Sequence, residues 1–153
     1  MGIKESYEKI RKRHRALPSF EKLDEEFELR SAEETHFPLR EIRKRMMERL
    51  DGYAQYVHEL LQPEPTVPNL RESQYFLRKE KEEMYEFYKR LMIAYRSGME
   101  VSILAGEQEH IHYIMEIWRD WAKVKQQMLD ILKKAKAAWL KDTEVDVDVS
   151  YFG

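Results

Sequence analysis

The chain holds two Glu-x-x-His patterns, Glu33 to His36 and Glu107 to His110. Three apart on a helix, a carboxylate and an imidazole share one face, and ferritin-like di-metal bundles use two such pairs with two further helix glutamates. That chemistry requires every ligand to project into the bundle core. Glu33 and His36 instead fall in a polar linker before Phe37-Pro38, and His110 stands at the edge of an apolar stripe. Glu107 belongs to a helix's first turn, where an acid complements the dipole. A carboxylate/histidine di-metal bundle is therefore the weakest reading the residues allow. His112 lies on a polar face, and His58 follows Val57 at the edge of its own stripe. No Ser or Thr sits in a glycine-rich elbow, and the five Gly form no phosphate-cradling loop or dinucleotide fingerprint. No catalytic, cofactor or metal residue is assigned, no cofactor is expected, and the chain reads as a non-enzyme.

Two basic runs are the next candidates, KIRKRHR at residues 9–15 and Arg43 to Arg45. Arg11, Lys12, Arg13 and Arg15 are the positions through which nucleic acid would bind. On a helix, however, Arg11 and Arg15 share a face while Lys12 lies about 100° away, so the run is spread rather than aimed. The net charge of -2, with 37% charged residues, describes helices covered by both signs, and a nucleic-acid partner is not expected. There is no cysteine, hence no disulfide, thiolate nucleophile or cysteine zinc site. A single Asn with abundant Glu, Lys and Arg leans toward a thermophilic composition. No apolar run approaches the roughly 18 residues of a membrane span, and a cytoplasmic location is expected.

These residues must be positioned by helices. SYEKIRKRHRA gives a first short helix, and Ser19 caps a second, FEKLDEEFELR, with Phe20, Leu23 and Phe27 on one face. A long helix from about Leu39 to Leu61 carries the stripe Leu39, Ile42, Met46, Leu50, Tyr53, Val57 and Leu60. Pro63, Pro65 and Pro68 make a stiff connector, and a second long helix begins between Glu72 and Arg78. Residues 99–105 read either as a strand, by alternation, or as a continuation past Gly98, by the spacing of Tyr95, Met99 and Ile103; the helix is expected. From Glu107 to Lys141, Ile111, Ile114, Trp118, Trp121, Lys125, Met128, Leu132, Ala135 and Trp139 form a heptad seam. Its flanks are apolar as well, Met115, Ala122 and Leu129 on one side and Ile117, Val124, Ile131 and Ala138 on the other, so this helix is expected to be central. The fold class is all-α: a bundle of three long helices with two short N-terminal ones over residues 1–142.

Residues 143–153 form a separate tail. From Asp142, acids at 142, 144, 146 and 148 alternate with Val145, Val147, Val149 and Tyr151, the period of a β-strand or extended segment. A merely solubilising end has no use for an unbroken apolar side. Val145, Val147, Val149, Tyr151 and Phe152, with Trp139 one turn from the helix end, are therefore the expected partner-binding residues, through the sheet edge of another protein or a second copy. The last helix would run about 50 Å and the helix from Leu39 about 35 Å, which leaves apolar surface to cover. A homodimer or other homo-oligomer is expected, with Lys125, alone polar on the seam, fixing register. On this reading, deletion of the tail weakens association.

The segment SYEKIRKRHRALPSFEKLDEEF, residues 6–27, resembles the N-terminal stretch of archaeal GINS proteins, where an aromatic-led basic helix precedes a Leu-Asp-x-x-Phe element, here Leu23 to Phe27. The resemblance implies a helical domain joined to a small β-domain and assembly with partner subunits at the replicative helicase. Here a single strand-like segment follows the last helix. The leading expectation is a non-enzymatic assembly or adaptor protein that self-associates, with a GINS-like subunit of a DNA replication complex as the alternative.

Overall fold

The computed structural model describes residues 2–32 and 37–141, and the described residues are predominantly helical. Glu33, His36 and the tail positions Val145, Val147, Val149, Tyr151 and Phe152 lie outside them. The elements are α1 (Ile3–Arg13), α2 (Phe20–Phe27), a 3-10 turn (Leu29–Ser31), α3 (Pro38–Leu61), α4 (Val67–Tyr75), α5 (Arg78–Leu104) and α6 (Glu107–Leu140). No described helix is long and apolar enough to cross a membrane.

Two compact units divide the chain, the first Met1–Asp51 with Ile93–Ala122 and the second Gly52–Met92 with Lys123–Gly153. In the first, Pro18 separates α1 from α2, and the Ser19 hydroxyl accepts from the Lys22 amide as the expected cap. Tyr7 of α1 meets Phe20 at 6.1 Å between ring centroids and donates its hydroxyl to the Pro18 carbonyl. Phe27 packs against Trp121 with ring centroids 4.9 Å apart and the planes tilted by 47°, and the Trp121 indole donates to the Glu26 carboxylate at 2.9 Å. Each buried polar tip therefore has its partner. Residues 99–104 are helix, as expected, because α5 continues without a break past Gly98. Glycine is needed there for space: a Cβ would lie 2.7 Å from Met47 Sδ and 2.8 Å from the Tyr113 hydroxyl.

In the second unit one expectation fails. The segment after Pro63 is not connector throughout, since Val67–Tyr75 forms the separate helix α4. Thr66 accepts from the Asn69 amide, and Pro68 sits in the first turn, where a missing N–H costs nothing. Proline here starts a helix rather than stopping one. The Ser73 hydroxyl donates to the Leu60 carbonyl at 2.7 Å and Tyr56 donates to Glu72, which ties α4 to the end of α3. A break at Phe76-Leu77 then separates α4 from α5, with the Glu80 carboxylate accepting from the Leu77 amide at 2.9 Å.

Candidate interaction surface

The second Glu-x-x-His pattern is occupied by the protein itself. His110 is buried, its Nδ1 lies 2.7 Å from the Gly106 carbonyl, and its Nε2 accepts from Arg43 Nε at 3.1 Å. Donation from Nδ1 to a carbonyl leaves Nε2 as the acceptor, so no lone pair remains for a metal. Arg43 is buried too, and loss of solvent pulls its guanidinium below the ordinary value. Glu107 pairs with Arg13 at 3.0 Å. Among the described residues no group of three His, Cys, Asp or Glu is arranged to hold a metal ion.

The basic run is partly engaged as well. Arg11 donates to the Leu17 carbonyl at 3.1 Å and lies 3.7 Å from Glu8, while Arg13 holds Glu107. Lys12 and Arg15 are exposed. The four residues do not form a single cationic face.

The surface that stands out lies on α6 within the second unit. Helix geometry fixes what this stretch can bury, and the choice goes to Met128, Ile131, Ala135 and Ala138. Relative to the expected seam, the buried stripe keeps Met128 and Ala135 but takes the flank of Ile131 and Ala138 instead of Lys125, Leu132 and Trp139. At Ala138 the side chain of Arg71 from α4 reaches this end of α6. Arg71 of α4 donates to the Ala138 carbonyl at 3.1 Å and to the Lys141 carbonyl at 2.6 Å, satisfying carbonyls that the helix end leaves open. Its guanidinium also stacks 5.3 Å over the Trp139 ring. On the neighbouring side Lys134 pairs with Glu80 of α5 and lies over the rings of Tyr75 and Phe76 at 5.6 and 5.8 Å. That ion pair, with the Leu77 amide, holds the Glu80 carboxyl below its usual value.

The opposite arc of α6 is left uncovered. Leu129, Leu132, Trp139 and Leu140 are 45%, 43%, 46% and 78% exposed, and Lys125, Lys133 and Lys136 are exposed among them. At 100° per residue these seven positions fall within an arc of about 120°, and it contains no Asp or Glu. The result is a strip of alternating apolar and cationic side chains with an aromatic at its C-terminal end. Trp139 is thus half exposed beneath Arg71, and Lys125 stands on the same face. A second exposed apolar group, Ile93, Met99, Ile103 and Leu104 on α5 in the first unit, is interrupted by Arg96 and Glu100. No family model, curated protein or solved structure matches the chain.

Proposed function

We propose that this chain is a non-enzymatic assembly or adaptor protein that binds protein, second copies of itself included, through the Lys-Leu-Trp face of α6. The observation that carries the reading is the uncovered strip of Leu129, Leu132, Trp139 and Leu140. Exposed apolar side chains gathered on one helix face, here with lysines between them, mark interfaces, and Trp is enriched among residues that dominate binding energy. Burial of a Leu or Trp side chain left half open contributes about 1 kcal/mol each. Lys125, Lys133 and Lys136 bias the face toward an acidic counterpart and add orientation more than affinity. Light scattering of the full chain from about ten to several hundred micromolar tests this. The average mass should climb above the 18.6 kDa of one chain, and Leu129→Glu with Leu132→Glu should abolish the rise. A wild-type mass that stays at one chain throughout contradicts self-association.

A second reading rests on residues 6–27. Tyr7, Leu23 and Phe27, which carry the resemblance to GINS proteins, are all buried. The Asp24 carboxylate accepts from the Arg30 amide at 2.7 Å and terminates the local turn. The residues that carry the resemblance are packing residues here, and the reading of a helical subunit of a replication complex rests on that resemblance. Stoichiometric co-elution with archaeal GINS subunits would support it, and separate elution would refute it.

A further inference from the structure

The open arc of α6 carries a regular seam of its own. Lys125, Leu129, Leu132, Lys136 and Trp139 are all exposed and follow spacings of four and three in turn. At 100° per residue they fall within an arc of about 80°. This is the spacing by which two helices interlock as knobs and holes. Met128 and Ala135, which complete the heptad read from the sequence, are buried on the other side.

A seam of this kind can meet a second copy of itself in few registers, and the lysines decide among them. In a parallel pairing Lys125 faces Lys125 and Lys136 faces Lys136 of the second copy. Two antiparallel registers keep most of the seam in contact. In one, Leu129 faces Leu132, but Lys125 is brought against Lys136. In the other, centred at the level of Lys134, Leu129 faces Trp139 and Leu132 faces Lys136, while Lys125 falls beyond Lys141 of the second copy. Only this last register sets no seam lysine against another. Positions 129 and 139, like 132 and 136, are equidistant from 134, and an isologous contact requires that symmetry.

We propose that the self-associated form is a two-fold antiparallel pairing of α6 with α6 of a second copy, centred at Lys134, in which Leu129 seats against Trp139. Resting on the reading above, this names the geometry of the contact. Arg71 lies 5.3 Å over the Trp139 ring, which is 46% exposed, so Leu129 of the second copy covers surface that Arg71 leaves open. The Lys136 stem lies along Leu132 of the second copy with its ammonium in water. Lys133 and Leu140 stand at the rim. Lys125 selects the register by exclusion, because the competing alignment places it against Lys136.

The chain has no cysteine, so introduced thiols report the register directly. Leu129→Cys and Trp139→Cys chains are mixed equally at a concentration where the wild-type mass has risen, and are oxidised in a thiol buffer. A disulfide joins Cα atoms up to about 7 Å apart. In the proposed register positions 129 and 139 face each other across the two copies, whereas two positions 129, or two positions 139, stand about 15 Å apart along the axis. The mixed disulfide should therefore exceed either same-variant disulfide by at least about tenfold. Leu132→Cys with Lys136→Cys, which leaves Trp139 in place, should also give the mixed product. Adding Lys125→Leu should raise the disulfide between Leu129→Cys and Leu132→Cys chains severalfold, since the competing register is then no longer repelled. Same-variant disulfides in excess would mean a parallel pairing, and preference of position 129 for 132 over 139 in the Lys125 background would mean the other antiparallel register. Either result, or equal joining in every mixture, would overturn the arrangement alone. A wild-type mass that never rises would overturn it together with self-association.

Discussion

Gly52 and Gly98 look alike in the sequence, each a lone glycine inside a helical pattern, and space separates them. Around Gly52 no neighbouring atom lies within 4 Å of the point where a Cβ would stand, whereas Gly98 faces Met47 and the Tyr113 hydroxyl, which donates to the Ala94 carbonyl at 3.0 Å. Gly52→Ala should therefore raise stability by about 0.5 to 1 kcal/mol through helix propensity. Gly98→Ala should lower it by about 1 to 3 kcal/mol, because Tyr113 is held by its hydrogen bond and resists displacement. Denaturant unfolding of the two variants reads both signs. Glu80 gives the residue-scale pH dependence. Its folded-state carboxyl is depressed by Lys134 and the Leu77 amide, so its contribution is present above the ordinary value of 4.5 and is lost as the pH falls through the folded value. Glu80→Gln should cost up to about 1 kcal/mol at neutral pH and nothing in strong acid, where the wild-type carboxyl is also neutral. A cost that is the same at both pH values would contradict the ion pair's role. Neither the two glycines' environments nor the Glu80–Lys134 pair, which lie 54 residues apart in the chain, was legible in the sequence. Both arise from tertiary approach, which local spacing does not encode.

At the scale of elements, the sequence carries the helices and leaves open which side each one covers. The spacing locates α2, α3, the course of α5 through Gly98, and α6 to within a few residues, since an apolar stripe of period 3.6 is a local property. Along α6, however, apolar residues occupy four positions in seven, and both flanks satisfy the same period. Ile131 is 9% exposed and its neighbour Leu132 is 43% exposed, a reversal of what the heptad alone suggests. Ile131→Ala should thus cost about 2 to 4 kcal/mol in unfolding free energy and Leu132→Ala less than about 1. Equal losses would restore the heptad seam. The helix α4 is hidden for a different reason, because Pro68 reads as a breaker until Thr66 is seen to cap a helix that begins at Val67. The interaction face is half legible: Trp139 stands out beside the helix end, while Leu129 and Leu132 become candidates only once α4 and α5 are seen to take the other side of α6.

For the whole molecule, surface rather than a reactive centre carries the proposed function. His110, Arg43 and Glu107, the residues closest to a chemical constellation, are engaged by partners within the chain, whereas apolar and cationic side chains on α6 face outward. Raised salt should weaken the contribution of Lys125, Lys133 and Lys136 and leave that of Leu129, Leu132 and Trp139 in place. The most direct measurement is a dilution series of the full chain followed by nuclear magnetic resonance of its methyl and indole groups. Concentration-dependent shifts should gather on Leu129, Leu132 and Trp139 while Leu23 and Ile114, buried in the first unit, stay fixed. Shifts that gather instead on Ile93, Ile103 and Leu104 of α5, or no shifts anywhere across the series, would contradict the assignment of α6 as the interaction surface.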